Sequence, residues 1–132
     1  MRPLRIVVVE DDALIGHFLA EILGEMGHDV CALERTAAGA ISAAANFRPD
    51  LMIVDARLPD GDGIEAMDQI NRTAAVAHFF MSGNGNEISA RRPGAVVIQK
   101  PFAETDLVQA ITQALLAPLR HSVPMPSLCG WP

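Results

Sequence analysis

The chain is poor in cysteine. Its 132 residues hold two, Cys31 and Cys129. Two are too few for a disulfide framework, and Cys129 falls in a stretch that reads as a loose tail. No cluster of Cys and His has the spacing of a zinc site. Basic residues are scarce as well, with 10 Lys and Arg against 16 Asp and Glu and a formal net charge of -6. Nucleic-acid surfaces are normally basic, so that class of partner is set aside. Long apolar runs are missing too. No segment approaches the roughly 20 apolar residues of a membrane span. The opening Met1-Arg2-Pro3-Leu4-Arg5 is positively charged, but the apolar run behind it stops at Glu10, too early for a secretory signal. These absences predict a soluble, cytoplasmic protein.

What is present suffices for one core. Half of the residues are hydrophobic, and the length suits a single domain. Leu4 to Val9 is a short β-branched run that reads as a buried strand, ended by Glu10-Asp11-Asp12. Leu14, Phe18, Ile22 and Met26 then recur at helical spacing, predicting a helix from about Ala13 to Met26 with Gly27 as its stop. Asp29 to Leu33 is a weaker strand. Thr36 to Asn46 is alanine-rich and favours helix, with Thr36 as its cap. Leu51 to Val54 is the third strand, with Asp55 at its carboxyl end. Leu58-Pro59-Asp60-Gly61-Asp62-Gly63 is a loop full of turn residues. Ile64, Met67 and Ile70 mark a third helix, and Val76 to Met81 a fourth strand. Between Ser82 and Gly94, three glycines and Pro93 predict a short or poorly formed helix. Ala95 to Gln99 is the fifth strand. Leu107, Val108, Ile111, Leu115 and Leu116 stripe a last helix. Residues 1–118 read as the domain and 119–132 as a flexible, proline-rich tail.

Strands alternating with helices imply βαβ units and a parallel sheet. The expected fold class is α/β: a doubly wound five-stranded parallel sheet of flavodoxin-like order 2-1-3-4-5, with helices on both faces. Ligands of such sheets bind beyond the carboxyl ends of the strands. There the sequence places Glu10, Asp11 and Asp12 after the first strand and Asp55 after the third. Ser82 follows the fourth, and Lys100 with Pro101 the fifth. Clustered carboxylates repel one another and favour a divalent cation among them, and Mg²⁺ prefers such oxygen donors. An ionised Asp can attack phosphorus, and a metal, an ammonium and a hydroxyl can stabilise the phosphoryl oxygens. Taken singly, each residue has an ordinary explanation. An acidic triplet caps a helix, Ser-Gly makes a turn, and a lysine is a solvated charge. Four coincidences at the correct strand ends weigh against that. His17, His28 and His78 receive no role beyond packing, and Met26, Met52, Met67 and Met81 read as core.

The combination of Val7-Val8-Val9-Glu10-Asp11-Asp12, Asp55 with Leu58-Pro59-Asp60-Gly61-Asp62-Gly63, Ser82-Gly83 and Lys100-Pro101-Phe102 resembles the receiver domain of two-component response regulators. The similarity spans about residues 4 to 117. The resemblance implies that Asp55 is the phosphoacceptor and Asp11 a direct Mg²⁺ ligand. Glu10 acts on the ion through water, and the backbone carbonyl of Arg57 is a further ligand. Ser82 bonds the phosphoryl group and Lys100 pairs with it, while Asp12 stays outside the core site. It also implies a phosphoryl donor, a sensor histidine kinase or histidine phosphotransfer protein, and either a downstream protein target or a relay. A monomer or weak dimer is expected, without nucleic acid or membrane. The protein itself is not expected to be a turnover enzyme.

Two departures stand out. Receivers commonly carry Tyr or Phe three residues before the lysine, and here that position is Val97, which is small and stiff at χ1. Phe80-Met81-Ser82-Gly83 resembles the Phe-Ala-Thr-Gly signature of an alphaproteobacterial receiver subgroup with a reduced fourth helix, with Met81 and Ser82 departing from it. The segment from Gly83 to Gly94 is expected to order on phosphorylation, and the Arg57 side chain to stand beside the acceptor and affect the lifetime of the acyl phosphate. Two other readings compete. A haloacid-dehalogenase-like phosphohydrolase would need an Asp-x-Asp nucleophile after the first strand, which Glu10-Asp11-Asp12 does not supply. A non-phosphorylated pseudo-receiver is kept alive by Val97.

Overall fold

The computed structural model describes residues 2–117. The expected tail, with Cys129, lies outside the described residues. Five strands form one sheet, numbered here in chain order: β1 (Arg5–Val9), β2 (Asp29–Glu34), β3 (Leu51–Asp55), β4 (Ala77–Ser82) and β5 (Val97–Gln99). All pair in parallel, in the order β2-β1-β3-β4-β5. The helices are α1 (Ala13–Glu25), α2 (Ala37–Phe47), α3 (Gly63–Thr73), α4 (Gly85–Arg91) and α5 (Glu104–Leu116). The expected doubly wound sheet is therefore what the chain forms.

The central strands have few polar residues because both of their faces are covered. Ile6, Val8, Leu51 and Ile53 point into one layer, with Leu19 and Leu23 of α1 and Leu107 and Ile111 of α5. Val7, Val9, Met52 and Val54 point into the other, against Ala40 and Ala43 of α2, Ile64 and Met67 of α3, and Ile88 of α4. A fully buried aliphatic side chain contributes about 1.5–3 kcal/mol, so these two layers dominate the stability.

Local chemistry sets the helix ends. Asp12 Oδ1 accepts hydrogen bonds from Leu14 N at 2.9 Å and Ile15 N at 3.3 Å, which starts α1. Gly27, at φ 93°, ends that turn in a left-handed conformation. Thr36 Oγ1 accepts from Gly39 N at 2.9 Å at the start of α2. Asp62 Oδ1 accepts from Ile64 N at 2.7 Å at the start of α3.

Two helices are turned part-way from the faces that their spacing suggests, with Ile22 of α1 and Met26 at its end still packed against the core. On α1, Leu14 is 83% exposed and Phe18 54%, while Gly16, Leu19 and Leu23 are buried. Gly16 faces Leu33 of β2, where an added Cβ would stand 3.1 Å from Leu33 Cδ1. The small residue draws that side of the helix onto the sheet. On α5, Leu107 and Ile111 of the expected stripe are buried together with Ala110 and Ala114, while Val108, Leu115 and Leu116 are exposed. The fourth helix is short, as expected, at seven residues.

Candidate functional site

The carboxyl ends of β1, β3, β4 and β5 meet at one rim. Glu10 and Asp11 follow β1, Asp55 closes β3, Ser82 closes β4 and Lys100 follows β5. Glu10 and Asp55 are buried, Asp11 is exposed, and Ser82 is half-buried. One carboxylate oxygen from each of Glu10, Asp11 and Asp55 lies within 4.8 Å of the other two. Three hard oxygen donors at that spacing fit a divalent cation such as Mg²⁺, with its remaining positions filled by water.

Lys100 supplies the opposite charge. Its Nζ donates to Glu10 Oε1 at 2.5 Å and to Asp55 Oδ2 at 2.8 Å. Burial pushes the Glu10 carboxyl up to about 7, and the neighbouring Asp55 adds to that, while Lys100 and the Asp12 amide pull the other way. Burial tends to lower the Lys100 ammonium, but its bonds to Asp55 and Glu10 outweigh it and hold the group above its ordinary value. The site thus keeps a fixed ammonium between two buried carboxyl groups.

Backbone contacts lock these side chains in place. Lys100 N donates to Ser82 O at 2.9 Å, joining the fourth and fifth strand ends. Ser82 Oγ accepts from Asn84 N at 2.9 Å. Asp55 pairs in register with Met81, which sets Ser82 one residue beyond it on the neighbouring strand. Asp55 Oδ1 accepts from Arg57 N at 3.0 Å.

Asp12 turns its carboxylate to the α1 amides and not to the acidic trio, so the ordinary reading of an acidic triplet holds for that residue. The Arg57 side chain is exposed, and its guanidinium lies 3.6 Å from Glu87 of α4. The expectation that it stands beside the acceptor is thereby modified. Val97 of β5 pairs in register with Phe80 and packs into the α2–α3–α4 layer.

Several supporting residues carried no signal in the sequence. Arg35 donates through Nε and Nη2 to the Asp11 carbonyl at 3.2 and 3.0 Å, fixing the backbone of the exposed carboxylate. Asp60 reaches back to α2, accepting from Ala37 N at 2.7 Å and Ala38 N at 3.0 Å, and those bonds hold its carboxyl below the usual range. Two-residue strands, Arg57–Leu58 and Gly61–Asp62, pair antiparallel and close the loop after Asp55 into a small hairpin. The sequence has turn residues there, and such turn chemistry only hints at a tight hairpin.

Comparison with known proteins agrees with this geometry. The family profile described as "Response regulator receiver domain" matches residues 6–112. The transcriptional regulatory protein PdtaR of Mycobacterium tuberculosis is 34% identical over 117 residues, covering 86% of this chain and 57% of that protein. The chain thus spans little more than half the length of that relative. The chemotaxis protein CheY of Bacillus subtilis is 33% identical over 116 residues, covering 84% of this chain and 97% of CheY. Among solved structures, the receiver domain of PhyR from Erythrobacter litoralis superposes with a TM-score of 0.79 at 29% identity, over 88% of this chain and 95% of that one. Among the described residues, no helix is long and apolar enough to cross a membrane. With its doubly wound sheet, its acidic trio and Lys100 at one rim, and a profile match over most of its length, the chain belongs to the response regulator receiver domain family.

Proposed function

We propose that this protein is a response regulator receiver that accepts a phosphoryl group on Asp55 in a Mg²⁺-dependent reaction. The observation that carries the reading is the trio of Glu10, Asp11 and Asp55 with the Lys100 ammonium bonded between its two buried members. Glu10, Asp11, Asp55 and the Arg57 backbone carbonyl would hold the ion, which would supply positive charge beside the phosphoryl oxygens. An Asp55 carboxylate oxygen attacks phosphorus. The bond from phosphorus to the imidazole nitrogen of a phosphohistidine donor breaks, and that nitrogen keeps the electron pair. Lys100 pairs with one phosphoryl oxygen and the Ser82 hydroxyl donates to another. The donor is a sensor histidine kinase or a phosphotransfer protein. Output passes to a downstream protein, or the phosphoryl group is relayed onward. The chain acts as a cytoplasmic monomer or weak dimer.

Val97 favours one alternative, a binding module that is never phosphorylated. Intact-protein mass after incubation with acetyl phosphate decides between them. One phosphoryl adduct that requires both Mg²⁺ and Asp55, and is lost in Asp55→Asn, supports the acceptor. If neither acetyl phosphate nor a phosphohistidine donor gives an adduct, the binding module stands.

A further inference from the structure

The α4 helix has little of the usual support. Its N-cap residue Asn84 makes no side-chain hydrogen bond to the helix, and Ile88 is its one buried residue. Ion pairs tie it to the elements around the acceptor. Arg91 meets Asp62 at 2.5 Å, and Arg92 meets Asp68. Glu87 meets Arg57 at 3.6 Å. Burial raises the Asp62 carboxyl, but Arg91 and the Ile64 and Glu65 amides outweigh it and hold the group below the usual range.

The Arg57 pair differs from the other two in position and strength. Arg57 lies two residues beyond Asp55, across the bend at Ala56. Its own amide already rests on Asp55 Oδ1. Its side chain is 86% exposed, and 3.6 Å is too long for a hydrogen bond to Glu87. A phosphoryl group adds about −1.5 to −2 charges and three acceptor oxygens, a stronger partner than one exposed carboxylate.

We propose that Arg57 is a charge-operated latch on α4: when Asp55 gains its phosphoryl group, the guanidinium leaves Glu87 for it and the helix loosens. This rests on the acceptor reading above. The helix is formed in this structure, and the latch runs opposite to the ordering expected from the sequence. Arg91 and Arg92 keep its carboxyl end attached. Such a device needs no aromatic ring at position 97.

The test is hydrogen exchange at the amides of residues 88–92 in the full chain, for wild type and Glu87→Gln, before and after modification with acetyl phosphate and Mg²⁺. Intact mass on the same samples reports the adduct. Wild-type amides are expected to exchange about twofold to fivefold faster once modified, the range that an exposed ion pair sustains. Glu87→Gln should take up the adduct, exchange at the faster rate from the outset and show no further rise. An adduct without faster exchange in wild type, or an equal rise in both proteins, overturns the latch and leaves the acceptor intact. Absence of adduct in both proteins removes the two together.

Discussion

Gly63 packs against the Asp55 backbone so closely that a Cβ on it would stand 2.1 Å from the Asp55 carbonyl oxygen and 2.9 Å from Val54 Cγ1. Its amide also donates to Ala56 O at 2.9 Å. The first residue of α3 therefore sets how Asp55 is presented. Gly63→Ala should cost at least about 1–3 kcal/mol, because rigid backbone must move to admit the methyl group. Urea unfolding measures the loss, and acetyl phosphate labelling should slow with it. A stable variant with unchanged labelling would show that the end of β3 has room to shift.

Asp11 and Asp12 are neighbours with different predicted effects. Asp12→Ala removes the cap of α1 and should cost about 1 kcal/mol of stability while leaving Mg²⁺ affinity nearly intact. Asp11→Asn should weaken Mg²⁺ binding at least tenfold with little loss of stability, since its side chain is exposed. Calorimetric titration and thermal unfolding of both variants check the pair. The reverse pattern would reassign the two residues.

Lys100→Ala separates charge balance from chemistry. Without the ammonium, two buried carboxyl groups lose their partner. The cost should be about 2–3 kcal/mol, below that of a fully enclosed pair because Lys100 is 22% exposed. Mg²⁺ should bind more tightly, because it no longer shares the carboxylates with a fixed cation, while phosphoryl uptake falls by an order of magnitude or more. Weaker Mg²⁺ binding would mean that Lys100 chiefly orders the ligands.

Two histidines predict how stability responds to acid. Burial lowers both His28 and His78 below 6.5. His28 Nδ1 accepts from Leu4 N at 3.0 Å, which requires an unprotonated nitrogen. His78 Nδ1 lies 2.8 Å from Val76 O. Folded values below the unfolded one mean that the unfolded chain binds protons first. Their contribution is complete above 6.5 and is lost as pH falls from there through the folded values. His78→Phe should flatten part of that slope in denaturant titrations between pH 7 and 5. An unchanged slope would remove His78 from the account.

Most of the fold was legible because the buried strands are nearly free of polar residues and stop at charged or turn-forming ones. Val9 gives way to Glu10-Asp11, and Val54 to Asp55. The site was legible because the strand order carries those ends to one rim. The rotation of α1 was not. Leu14 and Phe18 satisfy helical spacing as well as Leu19 and Leu23 do, and only Gly16 against Leu33 selects the face. The bonds of Asp60 to α2 and the ion pairs of α4 join residues 22 or more apart. Contacts of that reach leave no periodicity to read.

Lys100 and Glu10 stand 90 residues apart in the chain. A ribosome therefore releases the acidic residues of β1 and β3 long before their counter-charge emerges. Until β5 docks on β4, a nascent chain holds those carboxylates at the carboxyl rim of the growing sheet with no ammonium between them. Translation order thus makes docking of β5 the step that first brings the Lys100 ammonium to the two buried carboxyl groups. A chain arrested before residue 100 would have most of its sheet and an unbalanced centre.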